Sequence, residues 1–267
     1  MSISSLDEES KSKRDYFTPT IASKYVNTLF NSPSYNEWTS SIIFNALELQ
    51  PGHVLVDMGC GPGTDSLLIL KKMKNQIRVI GVDSSQGMLD IFRKEPNVET
   101  VCMDAVTFSR STQYPSYDRI FLKSVVHLLT FEQRSNAFKG FYQQLKPKHG
   151  RLLIIRGPVG EKLFPFDERT ENLFQKGNNL VTLFDELQQA GFKRIEQETF
   201  TFEYPPNSIT AEDWIYLIEN RLWTLFSREN MNDEQMNHLI DYVNQQFQRP
   251  NGFQTIDKQT IIKCYVD

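Results

Sequence analysis

The segment VLVDMGCGPGTDSLLIL, residues 54 to 70, constrains the fold more than any other part of the chain. An apolar run ends in Asp57, three glycines follow within five positions, and apolar residues then return at helical spacing. Glycine permits positive φ and lets the backbone approach a ligand closely, and the start of a helix presents N–H groups to an anion or a polar ligand. The segment therefore predicts a strand, a ligand-binding turn and a helix.

Strand and helix patterns alternate on both sides of that turn. Strands are predicted at 53–57, 77–82, 98–102, 118–122 and 150–155, and helices at 64–74, 86–94 and 131–145. Near-continuous apolar strands such as IRVIGV and RLLIIR suit a parallel sheet that is covered on both faces. The alternation predicts a doubly wound α/β fold.

The two ends of the chain depart from this alternation. Further helices are predicted at 20–30, 34–49, 180–190, 210–226 and 232–247, and the strands KRIEQETFTFEY and QTIIKCYV complete the pattern. We expect a flexible polar tail over residues 1–19 and a single domain over 20–267. Its sheet would be mostly parallel and seven-stranded, with lid-like helical elements at about 20–50 and 207–248.

Composition excludes several classes of function. The net charge of -4 over 267 residues argues against a broad nucleic-acid surface, and no apolar run approaches the roughly 20 residues of a membrane helix. Three scattered cysteines form no metal-binding pattern, so no metal is expected. A cytoplasmic protein, monomeric or homodimeric, is the resulting expectation.

Acidic residues end three successive strands, and they bear on which ligand the turn binds. The dinucleotide fingerprint needs a third glycine at position 64, where this chain has Thr64. Asp83 follows about 20 residues after the glycines, where a carboxylate can accept hydrogen bonds from ribose hydroxyls. Asp104 ends the third strand, where it could accept from an adenine amino group. These residues are compatible with binding of a dinucleotide and with binding of another adenosyl cofactor.

Five blocks make the pattern more specific: VDMGCGPGT, GVDSS, VCMDA, YDRIFLKSVVH and LKPKHGRLLI. In order and spacing they resemble class I S-adenosylmethionine-dependent methyltransferases over roughly residues 35 to 204, which implies a Rossmann-like fold and S-adenosylmethionine as cofactor. The resemblance implies a cofactor site made of Asp57, Gly59, Cys60, Gly61, Gly63, Asp83, Ser84, Met88, Asp104, Ala105 and Lys123. The split of the last two strands by a pair of helices departs from the family pattern.

Transfer of a methyl group from a sulfonium needs mainly proximity, orientation and exclusion of water. His127 is the candidate general base, because it follows the fourth strand. The predicted acceptor pocket takes its residues from the ends of the chain and from the fifth strand: Tyr16, Tyr25, Trp38, Arg156, Trp214 and Arg221. Two of these, Arg156 and Arg221, are candidate anchors for an acidic acceptor.

We therefore expect methyl transfer to an oxygen or nitrogen atom of a small molecule, with a carboxylate as a plausible acceptor. Two alternatives remain from the sequence. One is an NAD(P)-dependent oxidoreductase, and the other is a non-catalytic partner subunit that keeps the methyltransferase fold.

Overall fold

The computed structural model describes residues 17–92, 95–145, 150–157, 159–250 and 252–266. The predicted tail over residues 1–19, Tyr16 included, falls almost wholly outside these ranges. The first helix begins at Pro19, where the hydroxyl of Thr18 accepts a hydrogen bond from the first turn.

A single seven-stranded sheet organises the described residues. Its strands are β1 Val54–Met58, β2 Arg78–Asp83, β3 Val98–Cys102, β4 Arg119–Lys123, β5 Arg151–Arg156, β6 Arg194–Glu203 and β7 Ile256–Tyr265. The spatial order is β3-β2-β1-β4-β5-β7-β6, and β7 runs antiparallel to both of its neighbours while the other pairs are parallel. The predicted mostly parallel seven-stranded sheet is thereby confirmed. Strand order reverses direction between β1 and β4, so a crevice opens there at the carboxyl ends.

Ten α-helices are found in the described part of the chain. They are α1 Pro19–Tyr25, α2 Pro33–Leu47, α3 Thr64–Lys72, α4 Gln86–Leu89, α5 Ala105–Ser109, α6 Phe131–Gln144, α7 Glu168–Asn178, α8 Leu183–Ala190, α9 Ala211–Glu219 and α10 Asp233–Phe247. Helices α2 and α3 cover one face of the sheet, and α5, α6 and α8 cover the other. Each face is a buried apolar layer, as near-continuous apolar strands require.

Two buried arginines fix the end of α2 to the base of the sheet. The Arg119 Nε donates to the Leu47 carbonyl at 2.6 Å, and the Arg151 Nη1 donates to the Ala46 carbonyl at 2.8 Å. Both cations therefore satisfy carbonyls that the last turn of a helix leaves without partners, and both face the negative end of its dipole. The opposite end of α2, with Ser32 as N-cap, lies toward the carboxyl edge of the sheet.

A third apolar cluster lies beside the carboxyl end of β6 and the amino end of β7. Trp214 of α9 is fully buried in it, with residues of the 29–35 segment, the 164–166 segment and α10 around it. Tyr204 stacks on Tyr35 at a centroid distance of 5.9 Å, and this contact joins the cluster to α2. The helices at both ends of the chain thus form one packed body beside the sheet edge.

The elements differ from the predicted ones at several places. The helix predicted at 86–94 ends at Leu89, and the short helix α5 was not predicted. The predicted helix 20–30 stops at Tyr25, and a short 3-10 turn follows at Leu29–Asn31. The predicted helix 210–226 stops at Glu219, because Arg221 adopts a left-handed conformation with φ of 51°. Helix α7 was not predicted, although Asp167 caps it and acids occupy its first turn. Gly177 and Asn178 within its last turn concealed the helical pattern.

Candidate functional site

The glycine turn combines two glycines that face protein and one that faces open space. A Cβ on Gly59 would lie 2.3 Å from Val125, and one on Gly63 would lie 2.3 Å from the ring of Phe92. A Cβ on Gly61 would meet no atom of the described residues within 4 Å, and the φ of Gly61 is +52°. The turn therefore packs tightly against the protein at its first and third glycines. Its middle glycine faces a space in which a ligand can contact the protein backbone.

Asp83 connects the turn to the end of β2. Its Oδ2 accepts a hydrogen bond from the Gly61 N–H at 2.9 Å, and its Oδ1 accepts one from the Ser85 N–H at 2.8 Å. Burial raises the pKa of Asp83, and the backbone hydrogen bonds oppose that rise. Each carboxylate oxygen keeps a second lone pair, so the group can still accept from a vicinal diol.

Asp57 lies at the end of β1, deeper than Asp83. It is 3% exposed, and its Oδ2 accepts a hydrogen bond from the Ser66 hydroxyl at 2.7 Å. Burial raises the pKa of Asp57 to about 8. A carboxyl group with that pKa holds a proton over much of the neutral range, so Asp57 can donate as well as accept.

The remaining residues of the predicted cofactor site lie around the ends of β2 and β3. Asp104 caps α5, because its Oδ1 accepts from the backbone N–H groups of Val106 and Thr107 at 3.0 Å each. Met88 and Ala105 are buried next to these strand ends, and Ser84 is exposed. The carboxyl ends of β1, β2 and β3 thus each carry an acid, as the sequence predicted.

Cys60 contributes only backbone to this turn. Its side chain is buried against Leu89 and Phe92, and burial raises the pKa of its thiol well above the usual range. A thiol in that state is a poor nucleophile.

Lys123, at the end of β4, forms an ion pair with the first turn of α3. Its Nζ lies 2.8 Å from Asp65 Oδ2, and the Thr39 hydroxyl donates to Asp65 Oδ1 at 2.6 Å. Burial lowers the pKa of Lys123, but attraction by Asp65 outweighs it and the net shift is upward. The ion pair therefore joins β4, α3 and α2 at the edge of the crevice. Sequence reasoning missed Asp65 and Thr39, and nothing in the sequence alone associates Thr39 with Asp65.

The N-terminal segment crosses over this crevice. The Ser85 hydroxyl donates to the Phe17 carbonyl at 2.7 Å, and Pro19 packs against Gly87 of α4. Burial raises the pKa of Tyr25, and the charges of Lys123 and Asp65 also act on it. Tyr25 therefore stands beside the charged edge of the crevice, whereas Tyr16 lies outside the described residues.

The loop after β4 has a special backbone conformation. Ser124 has a φ of 57°, a left-handed value that is uncommon for residues other than glycine, and its N–H donates to the Ile155 carbonyl at 2.9 Å. His127 follows on the 3-10 turn Val126–Leu128 and is half-buried. Strained backbone at a strand end of this kind is frequent at functional sites.

The predicted acceptor residues divide into two groups. Trp214 is fully buried in the helical cluster, and Trp38 packs on Tyr35 and Phe202 at centroid distances of 5.5 and 5.2 Å. Arg221 donates to the carbonyls of Phe226 and Met231 and pairs with Asp233 at 2.6 Å. These three side chains hold helices together. Only Tyr25 and Arg156 of the described set lie at the crevice edge.

A second buried network links the helical cover to the sheet. The Tyr35 hydroxyl donates to Asp257 Oδ2 at 2.6 Å, and Gln259 Nε2 donates to the same oxygen at 2.7 Å. Burial raises the pKa of both Tyr35 and Asp257. Lys123 Nζ lies 5.6 Å from the centroid of the Tyr35 ring, so this network borders the ion pair.

Within the ranges that the structure describes, no group of three or more His, Cys, Asp or Glu side chains is arranged to hold a metal ion. None of the helices in those ranges has the length and apolarity to cross a membrane.

Comparison with known proteins finds similar sequences among curated methyltransferases. Phosphoethanolamine N-methyltransferase 1 of Arabidopsis thaliana is 25% identical over 202 residues, covering 73% of this chain and 40% of the relative. Trans-aconitate 2-methyltransferase of Azoarcus sp. is 30% identical over 129 residues, covering 48% of this chain and 46% of the relative. The chain thus spans less than half the length of these curated relatives.

A solved structure shares the fold. It is phosphoethanolamine N-methyltransferase 2 of Haemonchus contortus, in complex with phosphomonomethylethanolamine and S-adenosylhomocysteine. Its TM-score is 0.60 at 19% identity, and the likeness covers 95% of this chain and 58% of that one.

The family model described as "Methyltransferase domain" matches residues 55–148, which run from β1 to the start of β5. That range contains the glycine turn and the acidic ends of β1, β2 and β3. S-adenosylmethionine is the cofactor of this family, and the middle glycine with open space before it fits such a ligand. Residues 55–148 therefore match a methyltransferase domain, and the fold is that of a solved methyltransferase bound to S-adenosylhomocysteine.

Proposed function

We propose that the protein transfers a methyl group from S-adenosylmethionine to an oxygen or nitrogen atom of a small acidic acceptor. The observation that carries this proposal is the geometry of Gly61. Its backbone is held by Asp83 while the space that a side chain would fill is open. The open space in front of Gly61 leaves room for a ligand to approach the backbone next to the Asp83 carboxylate.

The residues around the turn have distinct roles in this proposal. Asp83 accepts hydrogen bonds from ribose hydroxyls, and the Gly61 backbone approaches the ligand. Met88 and Ala105 provide apolar contact for the adenine, and Asp104 lies at its edge. Asp57 supports the turn from below and holds a proton near neutral pH.

S-adenosylmethionine, when bound, supplies an activated methyl group on a sulfonium. The protein's contribution is therefore to orient the acceptor and to exclude water. Tyr25 and the N-terminal segment cover the crevice for this purpose. His127, after β4, takes the acceptor's proton when the acceptor is a hydroxyl or a protonated amine, and a carboxylate acceptor requires no base.

An acidic small molecule is supported as acceptor by the names of two relatives. One is named for trans-aconitate and the other for phosphoethanolamine, and both of these molecules carry an anionic group. We propose that the acceptor carries a carboxylate. A phosphate-bearing acceptor is the second candidate.

Calorimetric titration with S-adenosylmethionine, S-adenosylhomocysteine and NAD⁺ tests the cofactor assignment. We expect the first two to bind and NAD⁺ not to bind. Because a hydrogen bond to a charged group contributes about 1.5–3 kcal/mol, Asp83→Ala should weaken binding by roughly 10- to 100-fold. Asp241→Ala, at an exposed site on α10, is the matched control and should bind as the wild type does.

Other outcomes would support the alternatives. Binding of NAD⁺ instead would favour the oxidoreductase, and equal binding by Asp83→Ala would refute the site assignment. Incubation with a small-molecule extract and methyl-labelled cofactor separates an enzyme from a non-catalytic partner subunit, because only the enzyme yields a labelled acceptor.

A further inference from the structure

Arg156 ends β5 beside the crevice. Ile155 is paired with Lys123 in the sheet, and the Ser124 N–H donates to the Ile155 carbonyl at 2.9 Å. Arg156 is therefore opposite the first residue of the loop after β4. The next residue of that loop, Val125, packs against Gly59 of the glycine turn. Since β5, β4 and β1 are consecutive in the sheet, the backbone of Arg156 is about 10 Å from the end of β1.

The guanidinium of Arg156 has unused donors. Of its five N–H groups, Nη1 donates to the Asn178 carbonyl at 2.7 Å. The Nε atom is buried and has no hydrogen-bond partner among the described residues. No other hydrogen bond and no ion pair of Arg156 is found in the described part of the chain.

Two other cations near the acceptor region are neutralised by acids. Lys123 pairs with Asp65 at 2.8 Å, and Arg221 pairs with Asp233 at 2.6 Å. Arg156 has only the carbonyl at the end of α7, where the helix dipole supplies part of a negative charge. Burial lowers the pKa of Arg156, which shows that its charged form is poorly solvated. A poorly solvated cation without a carboxylate is unfavourable unless an anion comes to it.

The donor that remains accessible is Nη2. Nη1 donates to the Asn178 carbonyl and Nε is buried, so Nη2 is the guanidinium nitrogen left for a ligand. Its N–H groups can form charge-assisted hydrogen bonds with an oxygen of a carboxylate or of a phosphate group. Lysine at this position would carry the charge as a point charge on a flexible stem, without the fixed direction of the guanidinium donors.

We propose that Arg156 binds the anionic group of the methyl acceptor, with its Nη2 donating to a carboxylate or a phosphate. The proposal rests on the proposed function and adds the residue that selects an acidic acceptor. Because the acid would lie at β5 and the cofactor turn at β1, the methylated atom is on the side of the acceptor that faces β4. Arg221 has no part in acceptor binding in this arrangement.

The test measures binding of two anions to the protein saturated with S-adenosylhomocysteine. Trans-aconitate and phosphoethanolamine are titrated separately by calorimetry into the wild type, Arg156→Met, Arg156→Lys and Arg78→Met. Arg78 is an exposed arginine at the opposite end of β2 and serves as the control. S-adenosylhomocysteine affinity and the thermal unfolding midpoint are measured for each variant.

We expect the wild type and Arg156→Met to bind S-adenosylhomocysteine equally. At least one of the two anions should bind the wild type saturably, and its affinity should fall at least about 30-fold in Arg156→Met. Arg156→Lys should show an intermediate loss of about tenfold, since it keeps the charge and loses the fixed direction of the guanidinium donors. If Arg156→Met fails to fold, Arg156→Lys alone decides. Arg78→Met should match the wild type, and which anion binds tells carboxylate from phosphate.

Three results would overturn the proposal. The first is equal anion affinity in the wild type and in the folded Arg156 variants. The second is a wild type that binds S-adenosylhomocysteine and neither anion, which refutes this proposal and leaves the methyltransferase function intact. The third is a wild type that does not bind S-adenosylhomocysteine, which refutes the proposed function and this proposal with it.

Discussion

Alanine at Gly61 and alanine at Gly63 should damage different properties of the protein. The two glycines are two residues apart and both have positive φ, +52° for Gly61 and +75° for Gly63. They differ in what a methyl group would meet. At Gly63 it would lie 2.3 Å from the ring of Phe92, and at Gly61 it would meet nothing within 4 Å.

The magnitudes follow from these two contacts. A left-handed conformation costs an alanine roughly 1–2 kcal/mol, and both variants bear that cost. Forcing an extra methyl group into a packed core adds about 1–3 kcal/mol, which applies to Gly63→Ala alone. We therefore expect Gly61→Ala to lower the free energy of unfolding by about 1–2 kcal/mol and Gly63→Ala by about 2–5 kcal/mol.

Gly61→Ala, which should destabilise the fold less than Gly63→Ala, should weaken cofactor binding more. A methyl group on Gly61 would occupy the space where the ligand approaches the backbone, so we expect the folded Gly61→Ala protein to lose at least about tenfold in S-adenosylhomocysteine affinity. Urea unfolding measures the free energy of unfolding, and calorimetry measures the affinity for S-adenosylhomocysteine. Normal affinity in Gly61→Ala, or equal destabilisation by both variants, would refute the assignment of Gly61 to the ligand side of the turn.

Three further predictions concern buried polar groups. Because the pKa of Asp57 is about 8 when folded and its ordinary value is 3.8, the folded state retains a proton that the unfolded state loses between these values. The free energy of unfolding should therefore fall as pH rises from about 4 to about 8, by up to about 1.4 kcal/mol per pH unit from this group, and Asp57→Asn should remove that part of the slope in urea unfolding. Arg134 and Glu186 form a buried two-point ion pair at 2.8 Å, so Arg134→Met should destabilise by about 3–5 kcal/mol, and Arg134→Met with Glu186→Leu by much less. An equal loss in the double variant would contradict that reasoning. Tyr35→Phe should destabilise by about 1–3 kcal/mol, since Asp257 then loses a hydrogen bond inside the protein, and an unchanged unfolding midpoint would show that the bond contributes nothing.

The fold could be predicted from the sequence because the patterns that indicate it are local along the chain. Each strand of the parallel sheet is a short apolar run, and the glycine turn and the acids at the strand ends lie within those runs or directly after them. Helix α7 was missed because Gly177 and Asn178 lie inside its last turn and resemble a loop. The helix predicted at 210–226 ran too long because the left-handed backbone at Arg221 has no signature in a side chain of that type.

The sequence by itself determined the alternation of strands and helices, the glycine turn and the acids at the strand ends. These follow from periodicity, from glycine conformation and from spacing along the chain. Only the tertiary structure decided which cations are neutralised. Lys123 and Arg221 meet acids that are 58 and 12 residues away, while Arg156 meets a helix carbonyl alone. The reason is that ion pairs across a fold depend on distances in space, which the order of residues does not express.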